Sequence, residues 1–478
     1  MLGLKQNEVA LLDHQSEWEE KAAEAINKLK EIFGNTALDI QHIGSTAIHN
    51  IKAKPMLDIV LGVENFDMLD DILPKLAKNG VYKSSNQPLP GIILCAIKEN
   101  RESDIVLCNL HIVVIGSEQW NNHIVFRDYM NAFPQKVAIY EKLKIELAEK
   151  FSADRKAYCN GKTEFINTCI SEARIYADMK RKFDIKVFKP IDKGLSGDKK
   201  YYIETASGDR FMLRLSDIIK SDKKKAEFER MKQMSAYGIP MPEPVKFGVC
   251  DGGQSVYQLT AWCDGVNLET VLSGFPEAEQ YALGIKAGMI LNKIHRVPIL
   301  ESDITEEIWE TRYSGFIDDS IKSFHDCGVT VDGAGIIIDY FNNNRCLLKS
   351  RPQCYLHGDY HMGNMMLYEN EIYIIDWEIH LYNCYGDPWL EITMQETPHF
   401  STGLIDGYFG GNIPDEFWRM LAFYSSISAV SSVPWAYYCF PEELDSRKKL
   451  CADVLRWYDN MQNIIPSWYI KNYKAGGI

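Results

Sequence analysis

Asp359, Asn364 and Asp376 are the residues whose types and spacing could do chemistry together. The first two lie in Leu356-His357-Gly358-Asp359-Tyr360-His361-Met362-Gly363-Asn364, and the third lies in Ile374-Ile375-Asp376-Trp377-Glu378. Phosphoryl transfer from a nucleoside triphosphate needs such a set. One carboxylate accepts the proton of the attacking hydroxyl, while an amide oxygen and a second carboxylate hold Mg²⁺. Asp359 is the candidate base, and Asn364 and Asp376 are the candidate metal ligands. The plain alternative is a polar turn between two strands. So many fixed residues in so short a stretch, followed by Ile-Asp-Trp, argue for the chemistry.

Such residues must be held by a hairpin. Met365, Met366 and Leu367 precede the turn Glu369-Asn370-Glu371, and Ile372, Ile374 and Ile375 follow it. Two short strands then carry carboxylates at both ends. The Asp-x4-Asn spacing matches the kinase catalytic loop, and Asp376 stands where the metal-binding Asp of the D-F-G segment stands. His-Gly-Asp-x-His-x-Gly-Asn with the later Ile-Asp-Trp-Glu resembles the aminoglycoside phosphotransferase family of small-molecule kinases. That resemblance implies a protein-kinase-like fold with His-Gly-Asp in place of His-Arg-Asp. It also implies ATP or GTP with Mg²⁺ as cofactors and a hydroxylated small molecule as acceptor. Aminoglycosides, macrolides, amino alcohols and sugars all stay open, with antibiotic resistance among the roles raised.

The stretch upstream reads as the smaller kinase lobe. Lys193-Gly194-Leu195-Ser196-Gly197-Asp198 lies between strands. Such a hairpin loop can cover nucleotide phosphates with backbone N–H groups, so Gly194, Ser196 and Gly197 are candidates for that role. The strand Phe211–Leu215 carries Arg214 where kinases place a lysine. Arginine stays charged and can grip phosphate bidentately. Glu227, on a helix over 223–237, is expected to pair with Arg214. Gly238-Ile239-Pro240-Met241-Pro242-Glu243-Pro244 is a rigid extended link. Val256–Trp262 then reads as a strand into the hinge, where backbone groups around Thr260 and Trp262 could bind adenine.

The larger lobe follows. Residues 277–296 form an amphipathic helix, with His295 a structural residue at its end. The acid-rich stretch with Glu301, Asp303, Glu306, Glu307, Glu310, Asp318 and Asp319 reads as a solvated helical face, with an acceptor pocket as the alternative. Asp387, near a helix start in Gly386-Asp387-Pro388-Trp389-Leu390-Glu391, reads as structural. The many aromatics of the tail read as core.

The first part of the chain has different chemistry. A helix over 16–32 (Trp18, Ala22, Ala25, Ile26, Leu29, Ile32) precedes a short strand over 37–43. Gly44-Ser45-Thr46-Ala47 is a tight turn, and Asp58 lies on the next strand, Met56–Leu61. A Gly-Ser turn can hold triphosphate and a strand carboxylate can hold Mg²⁺. His42–Ala47, Lys54-Pro55, Asp58, Leu110-His111-Ile112, Phe126-Arg127-Asp128-Tyr129, Tyr140-x3-Lys144 and Tyr158-x3-Lys162 resemble the GrpB family. That family is similar in fold to nucleotidyltransferases. The candidate site here is Gly44, Ser45, Asp58, His111 and Arg127. Active nucleotidyltransferases carry Asp-x-Asp/Glu, whereas Val60 fills the second place. This domain is therefore expected to bind nucleotide or an anionic ligand weakly and to transfer nucleotidyl groups slowly or not at all. His111 as a core residue and Arg127-Asp128 as an internal ion pair are the structural alternatives.

Composition bounds these readings. Hydrophobic residues are 46% and charged residues 25% of the 478, a soluble globular balance. No apolar run reaches transmembrane length and the start lacks a signal-peptide pattern, so no membrane partner and a cytoplasmic location are expected. The 12 cysteines form no Cys-x-x-Cys pair, as expected of reduced thiols. A net charge of −14 excludes a general nucleic-acid binder and suits a cationic substrate. The fold class expected is α+β, a nucleotidyltransferase-like mixed sheet followed by a bilobal kinase-like domain. The boundaries expected are 1–178 and 183–478, with lobes at 183–265 and 266–478 and the basic helix end Lys180-Arg181-Lys182 between domains. The other classes in play are a pseudokinase-like regulatory protein and a nucleotidyltransferase working from the first domain. Nothing in the sequence sets the oligomeric state.

Overall fold

The computed structural model describes residues 2–5, 8–67, 69–85, 87, 90–191, 197–299, 308–377, 385–393, 397–471 and 473. The chain forms two compact units. One comprises 1–188 with 204–208 and 249–254, and the other comprises 189–203, 209–248 and 255–478. Mixed helix and sheet make up both.

In the first unit a five-stranded mixed sheet runs in the order Asp39–Ile43, Leu57–Val63, Cys108–Val114, Ile92–Ile97, Val81–Lys83. Leu57–Val63 and Cys108–Val114 are parallel, and the other pairings are antiparallel. Side chains on a strand alternate between faces. Leu57, Ile59, Leu61 and Val63 therefore pack together with Trp18, Ala22, Leu29 and Phe33 of the helix Glu17–Phe33 and with Leu69, Ile72 and Leu76 of Leu69–Lys78. Val60 packs instead with Ile43, Val113 and Trp120, and Asp58 shares its face. A separate core is built from Ile48, Ile51 and residues of Glu118–Ala132, Pro134–Lys150 and Thr163–Phe183. The last of these helices runs through Lys180-Arg181-Lys182 and is stopped by Asp184 in left-handed conformation (φ 48°).

In the second unit the strands Pro244–Cys250, Ser255–Ala261, Arg210–Asp217 and Lys199–Thr205 lie side by side in that order. The helix Ser221–Ala236 buries Phe228, Met231 and Met234. A largely helical region follows. Its helix Glu277–His295 crosses Pro398–Phe409 at glycines. A methyl at Gly288 would lie 2.0 Å from the Leu404 carbonyl oxygen, and one at Gly407 would lie 2.2 Å from that of Ile285. Only glycine lets the two backbones approach this closely. Its usual helix penalty of about 1 kcal/mol is offset by the packing. Around this crossing one core gathers Leu283, Ala287, Leu291, Phe400, Leu404 and Tyr408 with Tyr360, Met365 and Ile374. The tail aromatics Trp418, Phe423, Tyr424 and Tyr458 are buried, while Trp435, Tyr437 and Tyr438 are exposed. No described helix is long and apolar enough to cross a membrane.

Candidate active site

The strands Met365–Tyr368 and Glu371–Ile374 form the hairpin. Its turn is one residue shorter than expected. Glu369 (φ 48°) and Asn370 (φ 62°) are both left-handed. Tyr368 pairs with Glu371, so the loop has the two-residue geometry that matches strand twist. The hairpin thereby sets Asn364 and Asp376 side by side at its open end, away from the turn. The Ile375 N–H donates to the Asn364 carbonyl at 3.0 Å and closes the arrangement.

Within the loop, the Asn364 amide nitrogen donates to the Asp359 carbonyl and to its Oδ2, each at 2.9 Å. The donor half of that amide is therefore engaged, and its oxygen half is the part suited to a cation. His361 Nε2 lies 3.3 Å from the Asp359 carboxylate. Burial pushes the Asp359 carboxyl up, but the bond and charge of His361 and the bond from Asn364 outweigh it, so the group sits below its ordinary value. Asp359 is half exposed, as an acceptor-facing base requires.

Asp376 adopts a φ of 63°. That region costs a non-glycine residue energy and persists where surroundings enforce it. The Arg214 guanidinium lies 2.7 Å from its Oδ1, and Lys200 Nζ lies 3.8 Å from Oδ2. Burial raises the Asp376 carboxyl, while the charges of Arg214 and Lys200 outweigh that and hold it low. All four residues Lys200, Arg214, Asn364 and Asp376 line one cavity of about 500 Å³, together with Thr260, Ala261, Trp262, Cys263 and Asn267.

The expected partner of Glu227 is Arg214, and the ion pairs run differently. Glu227 lies 2.9 Å from Lys224, one turn back on the same helix, while Arg214 turns to Asp376 and to Asp198 at 3.6 Å. Lys224 in turn lies 3.0 Å from Asp198, so a buried lysine stands between the two carboxylates. Thr260 is buried, and its hydroxyl finds no hydrogen-bond partner among the described residues, which suits an incoming polar edge. The Trp262 backbone N–H is already given to the Arg210 carbonyl at 2.9 Å, and Trp262 forms part of the cavity wall. Gly197 is an exposed turn residue (φ 68°). Gly194, Ser196 and Glu378 lie outside the described residues, as do Glu301, Asp303, Glu306 and Glu307.

Several residues around the loop hold it in place, and for Glu391 the sequence carries no signal of this role. Glu391 accepts the backbone N–H groups of His357 and Gly358 and faces His295 Nε2 at 2.9 Å. His357 is buried, with Nε2 3.0 Å from the Ile375 carbonyl and Nδ1 accepting the Asp359 N–H at 3.3 Å. Burial lowers its basicity despite the carboxylates nearby, so it is a neutral strut between the two halves of the site. The Tyr360 hydroxyl donates to the Ala287 carbonyl at 2.7 Å. Asp387 is fully buried against Arg351 and Tyr424.

In the first unit, register sets Asp58 opposite Asn109 and Val60 opposite His111. Asn109 donates to Asp58 Oδ1 at 2.8 Å, and His111 Nε2 lies 3.7 Å from the same oxygen. Burial raises the Asp58 carboxyl, but His111, Asn109 and Lys54 together bring it down to about 2. Gly44 (φ 71°) presses on it, since a methyl there would lie 2.6 Å from Asp58 Oδ2. Arg127 is engaged with Gln41, the His42 carbonyl and Asp128, the last at 2.8 Å.

Comparison with known proteins agrees with the two-part plan. Residues 8–172 match the family model "GrpB protein", and residues 187–412 match the "Phosphotransferase enzyme family" model. The Glutamate-rich protein GrpB of Alkalihalophilus pseudofirmus is 36% identical over 173 residues, which are 36% of this chain and 99% of that protein. Among solved structures, GrpB from Enterococcus faecalis is 26% identical over 34% of this chain and 96% of its own, with a TM-score of 0.32. The amicoumacin kinase hAmiN, solved with AMP-PNP, Ca²⁺ and Ami, is 13% identical over 61% of this chain and 95% of its own, with a TM-score of 0.41. The chain thus belongs to the GrpB family and carries, in the same polypeptide, a region that matches the phosphotransferase enzyme family model.

Proposed function

We propose that the second domain transfers the terminal phosphoryl group of ATP or GTP to a hydroxyl of a small, amine-bearing molecule, with Mg²⁺. The observation that carries this reading is the cavity shared by Asn364, Asp376, Arg214 and Lys200, with Asp359 bonded to Asn364 at its edge. The metal donors are an amide oxygen and a carboxylate, the all-oxygen set that Mg²⁺ prefers. When bound, the ion neutralises phosphate charge. Asp359 takes the hydroxyl proton, and its hydrogen bond to Asn364 fixes its aim. Arg214 and Lys200 face phosphate oxygens. Thr260 and the wall from Ala261 to Cys263 accommodate the base. The net charge of −14 favours a cationic acceptor.

A second reading, a nucleotide-binding regulatory lobe, has one observation behind it: Arg214 already pairs with the metal-binding carboxylate at 2.7 Å. Labelled ATP with Mg²⁺ and a panel of aminoglycosides, macrolides, amino alcohols and sugars decides between them. Transfer to an acceptor that Asp376→Ala abolishes supports the kinase. Nucleotide binding with neither transfer nor Mg²⁺-dependent hydrolysis supports the regulatory lobe.

A further inference from the structure

The first unit holds a group of lysines that no catalytic reading absorbs. Lys144 is 1% exposed and donates to the Lys52 carbonyl. Its ammonium lies 5.0 Å from the Tyr140 ring centre. Lys162 lies 4.5 Å and Lys54 lies 5.4 Å from the ring centre of Tyr158. None of the three makes an ion pair with a carboxylate among the described residues. Lys144 is buried and Lys54 and Lys162 are half-buried, and drawing ammonium groups together away from water with no directly paired carboxylate is costly. The strain shows in their basicity. Burial, with the neighbouring cations adding to it, pushes Lys144 down to about 7 and Lys54 to about 8.

Two further observations point to what completes the group. Tyr158 is 0% exposed, yet its hydroxyl has no hydrogen-bond partner among the described residues. Tyr140 reaches the other way, towards the side chain of Ser45 in the Gly44–Ala47 turn, so the lysines and the turn belong to one locality. Of the carboxylates nearby, Asp58 is already engaged by Asn109 and His111, and Glu141 accepts the Lys52 N–H at 2.7 Å. A metal-bridged phosphate needs a richer oxygen set than that. A phosphate chain held by ammonium groups does not.

We propose that this cluster binds a condensed-phosphate chain, as pyrophosphate or as the tail of a nucleotide, without a divalent cation. Lys54, Lys144 and Lys162 neutralise the chain, and the Tyr158 hydroxyl donates to one of its oxygens. Val60 in place of a second carboxylate then follows from the design, because the cations do what a metal pair does elsewhere.

The test uses the full chain carrying Arg214→Met and Lys200→Met, which removes the phosphate-facing cations of the kinase cavity. Inorganic pyrophosphate is titrated calorimetrically in excess EDTA. Saturable binding, weakened at least about tenfold by Lys162→Met and by Lys54→Met, supports the site, since loss of one charged hydrogen bond is worth about a factor of ten or more. Unchanged affinity in both lysine variants overturns it, as does binding seen only when Mg²⁺ is restored. Should the methionine variants fail to fold, the parent decides alone, because no saturable metal-free binding below about 1 mM overturns the proposal. Repeating the titration with ATP tells a nucleotide tail (tighter than pyrophosphate) from a free chain (equal affinity), and both results uphold the site.

Discussion

Glu391 reaches the backbone of Gly358: its Oε1 accepts the Gly358 N–H at 2.6 Å, next to the candidate base Asp359. Its Oε2 accepts the His357 N–H at 3.0 Å and faces His295 at 2.9 Å, so one buried carboxylate fixes the path of the loop. Glu391→Gln keeps an oxygen but replaces one acceptor with a donor, which opposes an N–H. The expected outcome is a fall in kcat of about 10²-fold, with KM for nucleotide within about threefold, because small displacements of a base cost turnover more than binding. Steady-state kinetics with nucleotide and acceptor varied separately check it. A rise in nucleotide KM with kcat intact would assign Glu391 to the nucleotide cavity instead.

Asp359→Asn should keep the fold and the nucleotide affinity and lose about 10²–10⁴-fold in turnover, the usual cost of removing a general base. Asp58→Ala, in the other unit, should leave phosphotransfer within about threefold under the same assay. Turnover of Asp359→Asn close to that of the parent would sink the assignment of the base.

Lys200 and Arg214 flank the same carboxylate from neighbouring strands. Lys200→Met and Arg214→Met should each raise the KM for nucleotide, and the double variant should lose less than the sum of the two, because each cation lightens the other's load on Asp376. A double-mutant cycle on kcat/KM measures this. Strict additivity would show that the two cations contact separate phosphates.

The first unit should weaken in mild acid. Burial lowers His42 and His123 to about 4. The unfolded value is about 6.5. Both are neutral in the fold near that pH, and the unfolded chain takes up protons first as pH falls. Stability therefore declines from about pH 6.5 down to about 4, by up to about 1.4 kcal/mol per pH unit for each histidine. Thermal denaturation followed across that window checks the sign. The variant His42→Gln, which can still bond Thr46 as His42 does at 2.8 Å, should flatten the slope.

That Asp359, Asn364 and Asp376 come together was legible because these residues are close in sequence and chemically distinctive. The hairpin places Asn364 and Asp376 through local strand pairing, which periodicity and a polar turn reveal. What the supports bond to was not legible, for the opposite reason. Glu391 lies 34 residues from His357 and His295 lies 96 from Glu391, and a glutamate in a short apolar turn or a histidine at a helix end is common in any protein. The Arg214 pairing was misread for a related cause. Lys224, one turn back from Glu227 on the same helix, is the nearer cation, and helical neighbours at that spacing meet without help from the fold. In the first unit the turn, the strand carboxylate and the lysine-bearing stretches all stood out in sequence, whereas the meeting of Lys54, Lys144 and Lys162 did not, because they come from separate loops and helices.

The helix Glu277–His295 anchors the catalytic loop twice, at Ala287 through Tyr360 and at His295 through Glu391, and it is itself pressed against Pro398–Phe409 at paired glycines. A loop tethered this way is expected to open only together with the helix. In heavy water the amides of His357 and Gly358 should exchange on the timescale of helix opening, not on that of surface loops, although Gly358 is exposed. In the proposed transfer, movement is then expected on the nucleotide and acceptor side, with the candidate base Asp359 as the fixed point against which the two are brought together.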